Sequence, residues 1–203
     1  NRYHNYYLYV IQEGHKRKEI DQVSALSPIT QPEEVMQSII EADLVTTAVI
    51  ADNFPKIAPN LAAGLKARLD AGKGKINVIP CENAFYCGEM LKKELIKTEI
   101  ITEDELDSIA AIPSTAVDRM VFSAKRDGRE GIDIGKTFEL VIEKNKLADP
   151  CTEPIKYARY TGNLDKFLER KLCCTSHFLS HLYFGVGFKT IARLSRNPYS
   201  CGT

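Results

Sequence analysis

Apolar positions along the chain keep two rhythms in turn. Residues 6–11, Tyr-Tyr-Leu-Tyr-Val-Ile, are aromatic and β-branched and predict a strand, with a weaker strand candidate at 23–26. Gln31-Pro32-Glu33-Glu34 then places a proline and two acids where a helix favours them, and Val35, Ile39 and Ile40 follow at helical spacing. Residues 43–50, Asp-Leu-Val-Thr-Thr-Ala-Val-Ile, are apolar without alternation, the pattern of a parallel strand covered on both faces. A helix is predicted over 60–69 from Leu61, Leu65 and Leu69, and Gly72 and Gly74 stop it. A second buried strand over 75–80 runs into Cys81-Glu82-Asn83, and a further helix covers 88–96.

Strands alternating with helices imply βαβ units and a parallel sheet, with right-handed crossovers laying the helices over it. Ligands in such sheets bind beyond the carboxyl ends of the strands. Thr46-Thr47-Ala48 and Cys81-Glu82-Asn83 occupy that edge. After Glu103 the texture changes. A strand is predicted over 116–122, an exposed polar stretch over 123–135 centred on a turn at 125–131, and a strand over 137–142. From Asn163 to about Leu194 the apolar spacing is helical. The expected fold is therefore α/β, with an incomplete nucleotide-binding type of domain over 1–122 and a mainly helical, incomplete second domain over 123–203.

Composition narrows the function classes. Lys plus Arg and Asp plus Glu are both 27, so no global field draws the chain to nucleic acid or an anionic membrane. No apolar run approaches the ~20 residues that span a bilayer, and the first ten residues lack a charged-then-apolar leader layout. The 6 cysteines follow neither a metal-ribbon nor a small-scaffold spacing, and reduced thiols in a cytoplasm are expected. No Gly-x-Gly-x-x-Gly turn follows a strand. Gly185-Val186-Gly187-Phe188-Lys189-Thr190 ends in threonine and follows a helix, so the first βα unit is expected outside these residues.

The densest chemistry lies at 168–181, where Lys171, Cys173, Cys174, His177 and His181 fall together. Cys173, His177 and His181 stand one helical turn apart and can suit a metal, but no further ligand follows at usable spacing, and no metal is expected. Adjacent cysteines are most often small buried residues, and a nucleophile would need a lowered pKa. Lys171 can be a solvated helix lysine or a base, and residue types alone leave that open.

Four segments together resemble the polyol (mannitol) dehydrogenase family. They are Ala42 through Val49 with Ile57-Ala58-Pro59 and Gly64-Leu65; Asn77 through Asn83; Ser114 through Met120; and Asn163 through Leu172. The wording is closest to the mannitol-1-phosphate branch. The resemblance implies a Rossmann-like sheet, a mostly helical second domain with the site between them, and NAD-dependent, metal-independent oxidation of a secondary alcohol. It implies Lys171 as general base and Asn83 as holder of the substrate oxygen, with Thr46, Thr47, Ala48 and Asn83 against the cofactor. The chemistry suits those types. A desolvated lysine titrates at about 7–8, and a neutral amide stabilises developing alkoxide without competing for the proton.

The sequence departs from the family where Ser176 and Leu179 replace an asparagine and a histidine, leaving His177 as the nearest histidine and the third candidate catalytic residue. Asp118, Arg119 and His181 are the candidate substrate-binding residues, Arg119 as a bidentate holder of a sugar phosphate. An Asp118–Arg119 ion pair of structural role is the alternative. The expected reaction is mannitol 1-phosphate to fructose 6-phosphate. Hexuronate reduction and a non-catalytic remnant of the fold remain alternatives. The expected partner is a small polyol or sugar phosphate, with neither nucleic acid nor membrane.

Overall fold

The computed structural model describes residues 5–82, 84–126 and 128–164. Along the chain run β1 (Tyr6–Val10), β2 (Lys16–Ile20), α1 (Pro32–Glu41), β3 (Val45–Thr47), α2 (Phe54–Asp70), β4 (Ile76–Pro80), α3 (Cys87–Ile96), α4 (Glu103–Ile109) and β5 (Ala110–Ala111). They are followed by β6 (Thr115–Asp118), β7 (Val121–Arg126), β8 (Arg129–Ile134), β9 (Glu139–Glu143) and β10 (Arg159–Thr161). Three sheets result, ordered β3-β4-β5, β10-β9-β6 and β2-β1-β8-β7.

The first of these is parallel throughout, as the unalternating apolar runs predict. Side-chain parity explains why both faces had to be apolar. Val45, Ile76 and Val78 enter a helical layer with Ile39, Phe54, Leu65 and Leu91, where α2 packs against α1, α3 and α4. Leu44 and Ile79, of opposite parity, meet Ile142 and Leu147 on the other face. Asn77 fixes this second layer by accepting the Ala148 N–H at 2.8 Å.

Two contacts set the helix positions. A Cβ on Gly64 would lie 2.5 Å from Ile39 Cδ1, so α1 and α2 approach at a point only glycine leaves open. Arg68 reaches from α2 to the end of α1, donating to the carbonyls of Ile40 (2.7 Å) and Ala42 (3.0 Å) and to Gly74 (3.0 Å). The Ile40 and Ala42 carbonyls fall at the end of α1, where a helix leaves its last carbonyls without intrahelical partners, and the guanidinium supplies one.

Elsewhere the structure departs from the pattern. The strand expected over 43–50 is only three residues long, because the chain leaves the ladder after Thr47. Residues 23–26 form no strand. The strand expected over 116–122 is split at Arg119–Met120 into β6, which pairs with β9, and β7, which pairs with β8. The polar stretch that followed is mostly a hairpin, with Gly128 at φ +73° near its tip. Here β8 also pairs in parallel with β1, so one sheet joins residues on both sides of position 122. Helix α2 begins at Phe54, ahead of Pro59, which loses only one hydrogen bond this close to the helix start.

Candidate functional site

The carboxyl ends of β3 and β4 lie side by side. Thr46 faces Ile79 and Thr47 faces Pro80 in the ladder, and the Cys81 N–H donates to the Thr47 carbonyl at 2.7 Å. Beyond them Glu82 is buried, 4% exposed. Its carboxylate accepts the Thr47 hydroxyl (3.2 Å), the Val49 N–H (2.8 Å) and the Ile50 N–H (2.9 Å). Three donors to one carboxylate make up for its removal from water. They also bend the chain away from the sheet, which is why β3 ends where it does.

On the helix side of this edge is an open cavity of about 410 Å³. Thr46, Thr47 and Ala48 line it, and so do Leu26, Ile57 and Lys56. That volume falls at the small end of the ~300–1,000 Å³ range of ligand pockets. The Lys56 ammonium donates to Asn53 Oδ1 at 2.7 Å, and Asn53 Nδ2 donates to the Val49 carbonyl at 2.7 Å. A second cavity, of about 30 Å³, is water-sized.

The structure thus brings Thr46, Thr47 and Ala48 together at one cavity, while Asp118 and Arg119 stand at the end of β6 in another sheet. Asp118 is exposed. Arg119 donates to the Gly135 carbonyl (3.3 and 3.2 Å), with its guanidinium 5.2 Å from the centre of the Phe138 ring. Asn83, Lys171, His177 and His181 lie outside the described residues, as do Cys173 and Cys174 of the metal alternative.

Cys81, beside the site, is not a nucleophile at neutral pH. Burial, with a smaller effect of the Glu82 charge, pushes its thiol up to about 11. The Cys87 thiol is raised as well, again chiefly by burial. Among the described residues no group of three or more His, Cys, Asp or Glu is placed to hold a metal, and no helix is long and apolar enough to cross a membrane. Sequence reasoning missed Lys56 and the 24–26 segment as cavity walls. The signal for Lys56 was its place in the first turn of a helix just after a strand end.

A parallel sheet covered on both faces, with a cavity at its strand ends, defines a Rossmann-like α/β domain. The profile described as the mannitol dehydrogenase Rossmann domain matches residues 1–153, and the chain belongs to the mannitol dehydrogenase family. It is 31% identical over 178 residues to a mannitol-1-phosphate 5-dehydrogenase of Caldanaerobacter subterraneus subsp. tengcongensis, covering 85% of this chain and 45% of that protein. It is 27% identical over 201 residues to the protein of the same name from Oceanobacillus iheyensis, covering 97% and 52%. The chain therefore spans about half the length of the curated relatives it matches. Among solved structures, a substrate-free D-sorbitol dehydrogenase superposes with a TM-score of 0.68 at 15% identity, covering 83% of this chain and 44% of that one. The ternary complex of Pseudomonas fluorescens mannitol 2-dehydrogenase with NAD and D-mannitol gives the same TM-score, identity and coverage.

Proposed function

We propose that this chain carries the cofactor-bordering part of an NAD-dependent polyol dehydrogenase that interconverts mannitol 1-phosphate and fructose 6-phosphate in the cytoplasm. The observation that carries the reading is the polar end of two adjacent parallel strands, Thr46-Thr47-Ala48 beside Cys81-Glu82, opening on a cavity of about 410 Å³. The residues present suit part of a dinucleotide. The cavity has apolar walls at Leu26 and Ile57, a small exposed residue at Ala48 and one ammonium at Lys56, which together fit a flat heterocycle joined to phosphate. Membership of the family and the names of its mannitol-1-phosphate relatives support the substrate class.

Held against Thr46, Thr47, Ala48 and Asn83, NAD would supply the hydride acceptor for the carbinol carbon. The chain's own part is to manage the oxygen. In this reading Lys171 takes the hydroxyl proton as the C–H bond breaks, leaving ketone, NADH and a protonated amine that returns its proton to water. Asn83 donates to the oxygen as negative charge develops on it, and His177 orients the hydroxyl. Asp118, Arg119 and His181 hold the rest of the polyol phosphate.

Two measurements test this. Calorimetric titration with NADH should show saturable binding. Lys171→Ala should lower the rate of fructose 6-phosphate reduction about a thousandfold while NADH binding persists. Unchanged turnover in that variant ends the assignment of the base. Faster reduction of tagaturonate or fructuronate than of fructose 6-phosphate moves the substrate to the hexuronates.

A further inference from the structure

Ile50 sits at φ +66° and ψ 129°, a backbone conformation that glycine tolerates and a β-branched residue rarely adopts. Its side chain is 54% exposed, so packing does not hold it there. Such strain persists only where the surroundings over-determine it. Hydrogen bonds pin this turn from both sides. Glu82 draws in the N–H groups of Val49 and Ile50 together with the Thr47 hydroxyl. On the carbonyl side, the Asn53 amide side chain donates to Val49 O and the Asn53 N–H to Ile50 O, at 2.7 and 2.8 Å. Between these anchors Ala48 is left exposed on the cavity wall.

From this geometry we infer that Glu82 is a positioning residue of the cofactor site: it holds the 47–50 turn in a strained shape that presents Ala48 to the dinucleotide. The inference rests on the cofactor reading above. Both Glu82 oxygens face donors of the turn, Oε1 the Val49 N–H and Oε2 the Ile50 N–H. That arrangement makes glutamine a severe replacement despite its shape. In Glu82→Gln one end of the side chain becomes an NH₂, which would confront the N–H of either Val49 or Ile50.

The test compares the parent chain with Glu82→Gln, Ile50→Gly and the double variant, each titrated with NADH well below its unfolding temperature. Glu82→Gln is expected to weaken NADH about tenfold, the size of one lost charge-assisted hydrogen bond. Ile50→Gly in the same chain is expected to restore binding to within about threefold, since glycine adopts the turn unaided. A residue that merely stabilised the fold would lower the melting temperature without this loss and recovery of affinity. Should Glu82→Gln fail to fold, amide exchange on the parent decides. The Val49 and Ile50 N–H groups are expected to be protected before NADH is added and no more protected after. Rapid exchange of both in the free protein overturns the inference. So does unchanged NADH affinity in Glu82→Gln, or a loss that Ile50→Gly does not recover. A parent chain that binds no NADH overturns the cofactor reading and this inference together, whereas parental binding untouched by Glu82→Gln overturns this inference alone.

Discussion

Arg68→Met should damage the helical layer, and the size of the effect follows from geometry. The residue is 9% exposed, and its guanidinium donates within 3.0 Å to three carbonyls, those of Ile40, Ala42 and Gly74. Methionine keeps the aliphatic stem and so separates lost hydrogen bonds from lost packing. Each bond from a charged donor is worth about 1.5–3 kcal/mol, which sets an upper bound near 9 kcal/mol for the three. Against this, the variant no longer buries a cation, whose burial in the native protein already pulls the guanidinium pKa down. Water can also reach some of the freed carbonyls at the end of α1. A net loss of about 3 kcal/mol remains, comparable to other broken buried charge networks. For a chain of this size that lowers the thermal midpoint by roughly 9 °C. Urea and thermal unfolding of parent and variant measure it. A loss below about 1 kcal/mol at unchanged m-value would mean that the end of α1 needs no partner from α2, contrary to the reasoning.

Two further outcomes are expected from the same layer. Gly64→Ala gains helix propensity of about 1 kcal/mol but forces a methyl to 2.5 Å from Ile39 Cδ1, so it should destabilise by about 1–2 kcal/mol, and Ile39→Val should recover part of that in thermal melts. The second concerns acid. Lys66, followed by the Thr102 donors, holds the Glu105 carboxyl down to about 2. A carboxyl depressed in the folded state stabilises fully above its unfolded pKa, near 4.5, and loses that contribution as pH falls toward about 2. Denaturant midpoints between pH 5 and pH 2 should fall more steeply for the parent than for Glu105→Gln; parallel curves would sink the attribution.

What could be read from sequence was whatever a local period encodes. The buried strands around Val45 and Val78 declared themselves because both faces needed apolar residues, and α1 and α3 because their stripes repeat. Strand β2, Lys-Arg-Lys-Glu-Ile, has no such signature. It is nearly all exposed and exists because β1 offers it a ladder. Helix α4 is seven residues long, too short for a period, although its Thr102–Glu105 capping box was visible as a threonine three residues before a glutamate. The leucine spacing marked α2 only from residue 60, whereas the helix starts at Phe54 and carries Pro59 near enough to its start to be tolerated. At the site, the alternation of strands and helices placed Thr46-Thr47-Ala48 and Cys81-Glu82 at one sheet edge, but the bonds from Glu82 to the 47–50 turn cross more than thirty positions and leave no local trace.

The stretch Thr46-Thr47-Ala48 was nominated as a unit, and the structure divides it. Period-two alternation alone would set Thr46 and Thr47 on opposite sides of β3. The result is a half-buried Thr46, a buried Thr47 whose hydroxyl is held by Glu82, and an exposed Ala48. A methyl side chain offers a ligand no hydrogen bond, so Ala48 can act only through where its backbone stands and how little room it takes. On the cofactor reading this is an advantage, because a flat ring needs a wall without protrusions. Such a wall is set by backbone placement, and here that placement is fixed from outside the turn by Glu82 and Asn53. Selectivity at this strand end would then depend on two residues that need not touch the ligand at all.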